Sequence, residues 1–173
     1  MRRRLARIAW RFLLASLLAG CPAAPVDDGG NDNLPPTGLT VEIGYTDETG
    51  LNYQVIPDGG VMPLFTIGQG GSHMFATLRA TGFPVDEFGT ANINLDEFVT
   101  LGPDQRVIHN LSEPVTFVSI ADDGVEVQSR RIVFDALPTE VDGQLISVEF
   151  TLTSVADPTI NARITQTLLM DLP

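Results

Sequence analysis

Residues 145–154 read Leu145-Ile146-Ser147-Val148-Glu149-Phe150-Thr151-Leu152-Thr153-Ser154, and this stretch decides the fold. Ile146, Val148, Phe150 and Leu152 alternate with Ser147, Glu149, Thr151 and Thr153, the period-2 pattern of a strand with one face in a core and the other in water. Asp142-Gly143 turns the chain before it and Ala156-Asp157-Pro158 after it, so a bounded strand is predicted, placed centrally in its sheet.

The same period extends outward in both directions. Toward the C-terminus Ile160, Ala162, Ile164, Leu168 and Met170 close the chain as a last strand. Toward the N-terminus, Val125 and Val127 are odd-numbered and Ile132 and Phe134 even, so a bulge or a crossing between sheets is expected near Ser129-Arg130-Arg131. Val115 and Phe117 lead into Asp122-Asp123-Gly124, a tight hairpin signal. Ile93, Leu95, Val99 and Leu101 hold one parity, and because Glu97 shares it, a local shift is expected there. Met74, Ala76, Leu78 and Ala80 mark another strand. Pro63 lies within the apolar run Val61 to Ile67 and assigns that run to an edge or bulge, since proline donates nothing to a ladder. Leu39, Val41, Ile43 and Tyr45 open the domain and form a hairpin with Tyr53 and Val55 across Asp47-Glu48-Thr49-Gly50.

These signals give about eight or nine strands with turn residues between them and no helical periodicity after residue 21. The expected fold is all-β, an antiparallel β-sandwich over residues 39–173, with a closed barrel as the alternative. In architecture it resembles immunoglobulin-like and fibronectin-type modules, without their Cys-Trp-Cys pin.

The N-terminus has a different character. Arg2, Arg3, Arg4, Arg7 and Arg11 form a basic region, and Ile8 to Leu18 an apolar stretch too short to span a bilayer. Leu18-Ala19-Gly20-Cys21 resembles the lipobox of bacterial lipoproteins. The resemblance implies a signal peptide of residues 1–20, removed before Cys21, and lipidation of Cys21, which is the only cysteine. Several acyl chains, each adding about 0.8 kcal/mol per buried methylene, would hold the protein at a membrane surface. The resemblance further implies, from Pro22 standing where an Asp would favour retention at the inner membrane, an outer-membrane location facing the periplasm or the cell surface. Residues 21–38 continue as PAAPVDDGGNDNLPPTG after the cysteine, the composition of a flexible tether.

Charge narrows the partners. All 22 acids follow Gly20, but only five of the 10 basic residues do, none of them lysine, leaving −17 on the mature chain. Nucleic acid is excluded, because its affinity comes from phosphate neutralisation by Lys and Arg. An envelope protein is the partner class such a module would meet, beside the membrane reached through Cys21.

The motifs carry little chemistry. Gly68-Gln69-Gly70-Gly71-Ser72-His73 lacks the spacing of a phosphate loop or a nucleophile elbow. Ser72 and His73 would also point to opposite faces of a strand. His73 and His109, the only histidines, are expected at loops or strand ends, and Arg130-Arg131 in a local ion pair. The small ligand the sequence best accommodates is calcium between Asp86-Glu87 and Asp96-Glu97, although that spacing matches no known calcium loop and a solvated acidic loop is the plainer reading. No catalytic residue, cofactor or metal ligand is assigned. The functional expectation is an envelope lipoprotein presenting an acidic β-sandwich for protein or ligand interaction or a structural role. An envelope enzyme or enzyme subunit, or a calcium-dependent adhesion module, is the alternative.

Overall fold

A computed structural model describes residues 38–46, 52–66, 68 and 70–173. The signal, Cys21, the tether up to residue 37 and the turn at 47–50 lie outside the described residues. In chain order the strands are β1 (Thr40–Thr46), β2 (Tyr53–Val55), β3 (Gly60–Pro63), β4 (Phe65–Thr66) and β5 (Ser72–Thr81). There follow β6 (Thr90–Leu101), β7 (Arg106–Ser119), β8 (Gly124–Phe134), the short turn of helix α1 (Pro138–Val141), β9 (Leu145–Ser154) and β10 (Asn161–Asp171).

The fold is all-β and sandwich-like, as the alternation predicts. β9 is central, flanked by β6 and β10, and Ile146, Val148, Phe150 and Leu152 are all buried. The two walls belong to one mixed sheet, ordered β2-β1-β5-β8-β7-β6-β9-β10-β3. β10 and β3 run parallel, the one departure from the antiparallel expectation. Pro63 sits at the end of β3, consistent with an edge. The chain then continues as β4 and pairs with β5 through Phe65–His73 and Thr66–Ser72, so residues 60–66 link the two walls at one side.

At the other side the walls join through the β7–β8 hairpin. Its turn has Asp122 at φ 62° and Asp123 at φ 56°, the paired left-handed geometry of a type I′ turn. Only Val118–Glu126 and Ser119–Val125 pair next to it; further on the two strands part until the Asp135 amide donates to the Ile108 carbonyl. A seam opens between them. Pro114 on β7 and inward-pointing charges beneath it are devices that keep such an edge from recruiting another strand.

The predicted parity change in β8 is present. Ala76 pairs Arg130 and Leu78 pairs Val127, so Gln128 and Ser129 bulge opposite Thr77, with Ser129 at φ 50°. The shift expected at Glu97 is not there. β6 stays in register through Glu97–Leu111 and is interrupted only between Val99 and Thr100, leaving Glu97 pointing inward and 1% exposed. An ion-pair network, described below, makes that tolerable.

The strands run between two ends. Thr40, Thr81, Gly124 and Ser119 lie at the end where the chain comes in from Gly38; Thr46, Ser72, Phe134, Leu101 and Asp171 lie at the other.

Candidate functional site

Three polar or aromatic clusters stand out among the described residues. The first fills the seam. Arg130 is turned inward by the bulge and donates through Nε to Glu97 Oε1 at 2.6 Å and through an Nη to Glu113. Glu97 Oε2 lies 2.8 Å from His109 Nε2, and His109 Nδ1 lies 2.9 Å from the Val133 carbonyl. Burial works against the Arg130 charge, but hydrogen bonding to Glu97 and Glu113 prevails and holds its pKa above the ordinary value. Both oxygens of Glu97 are taken and the side chain is out of water, so Glu97 serves to tie β6, β7 and β8 together. His109 thus belongs to a buried network on β7 instead of a loop.

The second cluster lies on the outer face of β1, β5 and β8. The Arg79 guanidinium carbon is 3.7 Å from the centre of the Tyr53 ring, and Arg79 pairs with the buried Glu126. Gln128 Nε2 donates to the other oxygen of Glu126 at 2.5 Å. Gly44 makes the stack possible, because a Cβ there would stand within 2.5 Å of the ring. Burial, reinforced by Glu42, pushes the Tyr53 phenol up to about 12, so it stays protonated.

The third is aromatic. On the outer face at the start of β5, Phe65, His73 and Val133 sit on one rung and Phe75 and Arg131 on the next. The Phe65 and His73 rings lie 5.7 Å apart and nearly parallel, while Phe75 meets them edge-on at 5.4 and 5.0 Å. A cleft of about 490 Å³ opens beside them, lined by Leu64, Phe65, Thr66, His73, Leu172 and Pro173. His73 is buried, its Nδ1 has no partner, and burial together with the Arg131 charge draws its pKa below 6.5. Ser72 faces away and donates to the Ala136 carbonyl at 2.9 Å, so the two neighbours share no proton.

The acids proposed for calcium are not brought together. Asp86 caps its own loop, accepting from the Phe88 and Thr90 amides and the Thr90 hydroxyl, which hold its carboxyl below the usual range. Asp96 faces outward to Ser112, and Glu97 inward to Arg130. Among the described residues no three His, Cys, Asp or Glu side chains could hold a metal together. Alternation on one strand separates neighbours that sequence proximity had grouped.

Sequence reasoning missed the third cluster. The signal was present, since Phe75 breaks the polar series Thr77, Arg79 and Thr81 on the outer side of β5.

No family model matches the chain, and no curated protein is similar to it. A solved structure of the N-terminal domain of PorA is similar at 12% identity and a TM-score of 0.33, over 76% of this chain and 97% of that one.

Proposed function

We propose that the chain is an exported lipoprotein, anchored through Cys21 in the outer membrane of the cell envelope, whose β domain is a binding module. The observation that carries the binding reading is a contrast in how charge and aromatic surface are used. Glu97, Glu113, His109 and Arg130 are spent on one another, as are Arg79 and Glu126, whereas on the outer face at the start of β5 Phe65 and Phe75 remain exposed beside Arg131, which has no carboxylate partner among the described residues. The resemblance of Leu18-Ala19-Gly20-Cys21 to a lipobox supports the anchor, and the Pro- and Gly-rich stretch after it supports display at a distance from the bilayer.

Mass spectrometry of the mature N-terminus tests the anchor, with an acylated Cys21 expected. An unmodified thiol, or Cys21→Ser protein that still partitions into detergent, overturns it. A pull-down from envelope extract tests the module, with loss of the captured protein on Phe65→Ala as the supporting result. Turnover of an envelope polymer by the purified protein would make it an enzyme instead.

A further inference from the structure

Phe88 is 81% exposed, the most exposed large apolar side chain among the described residues. It stands with Glu87 at the tip of the turn from Asp86 to Gly89 that leads into β6, and that turn is held firmly. The Asp86 carboxylate accepts from the Phe88 and Thr90 amides, the Gly89 amide donates to the Asp86 carbonyl, and the Gly89 carbonyl accepts from the Ser119 amide on β7. Gly89 takes φ 73°, which closes the turn. All of this fixes the backbone and none of it covers the ring. An aromatic side chain presented on a pre-organised backbone gives up little freedom when a partner covers it, which is the character of an interface anchor. Glu87 beside it is exposed and enters no ion pair.

The counterpart lies at the opposite end of the strands. Arg131 is the one arginine of the described residues without a carboxylate partner, since Arg79, Arg106, Arg130 and Arg163 pair with Glu126, Glu140, Glu97 and Glu149. Around it on the outer face Phe65, Phe75 and Val133 are exposed, and Phe75 is its partner across the β5–β8 rung. One end of the molecule thus presents an acid beside an exposed ring, and the other an arginine beside exposed rings.

We propose that a second copy of this chain occupies the aromatic face, with Phe88 of one copy on Phe65 and Phe75 of the next and Glu87 on Arg131. The spacing agrees: adjacent turn residues stand about 3.8 Å apart at Cα, and partners across an antiparallel rung about 4.5–5.5 Å. Ring edges on Phe65 and Phe75 accept a third ring in offset or edge-on packing, and the guanidinium fork matches a carboxylate. Two acidic domains otherwise repel, so the Arg131–Glu87 pair decides the register. Tip and face are too far apart in one copy to meet each other. The contact therefore joins two different surfaces, and copies add head to tail instead of closing as a twofold dimer. One anchor ring covers about 150–250 Å², far below the 1,200–2,000 Å² or so of a stable complex, so association is weak and set by concentration.

The proposal rests on the reading of the aromatic face as a binding surface and names its partner. Sedimentation velocity of the full chain tests it, under reducing conditions so that Cys21 cannot cross-link copies. The sedimentation coefficient should rise with concentration up to about 1 mM, and Phe88→Ser or Arg131→Glu, both at exposed side chains, should each weaken association roughly tenfold or more. Mixed together, these two variants hold one intact tip and one intact face between them, and should form a dimer that grows no further. Glu87→Arg and Arg131→Glu in one chain should restore the association that either change alone removes. A monomer throughout the range, association that survives either single change, or a mixture that stays monomeric overturns the proposal. A monomeric chain that still captures an envelope protein, with capture lost on Phe65→Ala, leaves the binding module standing, so the two readings fail separately.

Discussion

Removing Arg130 leaves the Glu97 carboxyl out of water without its guanidinium partner. Arg130→Met strands Glu97 with only His109 beside it, and losing one partner of a buried pair costs about 3–5 kcal/mol. The double change Glu97→Leu with Arg130→Met should recover most of that, because both charges go together; urea denaturation of the three proteins measures it. His73 gives a pH prediction with a definite sign. Its folded pKa lies below 6.5, through burial and then Arg131, so below that pH the unfolded chain takes up a proton that the folded one refuses. Stability from the neutral ring is therefore complete above about 6.5 and declines as pH falls toward the folded pKa. The urea midpoint should drop as the pH falls below about 6.5, and less steeply in His73→Phe. At Gly44 an added methyl meets the Tyr53 ring. Gly44→Ala should cost about 1–3 kcal/mol and displace the Tyr53–Arg79 stack, visible as a change in tyrosine near-ultraviolet dichroism.

Strands carry the legible part of this sequence, and their exceptions carry the rest. Period-2 alternation located β1, β5, β6, β9 and β10, and the odd-to-even switch in β8 located the bulge, because a buried face leaves a parity that can be counted. Most of β7 did not show. Arg106 to Pro114 flank the seam, where the inner face is shared among His109, Leu111 and Glu113, so no apolar series survives to be read. The third cluster was hidden for a related reason: it joins β4, β5 and β8, and one-dimensional spacing says nothing of which strands become neighbours. Ser129 tests the bulge. At φ 50°, Ser129→Val should cost about 1–2 kcal/mol, whereas Ser129→Gly should be tolerated; melting temperatures decide it.

For the molecule as a whole, the closing pairs join distant parts of the chain. Gly60 pairs with Leu168, and β5 with both β1 and β8. Such non-local pairing should place refolding in the millisecond-to-second range, against microseconds for local helical folds, and stopped-flow fluorescence of Tyr45 and Tyr53 follows it. The aromatic face of Phe65, His73 and Phe75 lies at the end of β5 remote from Gly38, about eight residues or roughly 26 Å along the strand from Thr81. That layout has a mechanical consequence. A pull on the chain at Gly38, against a load held near His73, drags β1 lengthwise past β5. The five pairs from Thr40–Thr81 to Gly44–Thr77 then bear the force side by side, as a clamp in shear, and must yield together instead of unzipping one after another.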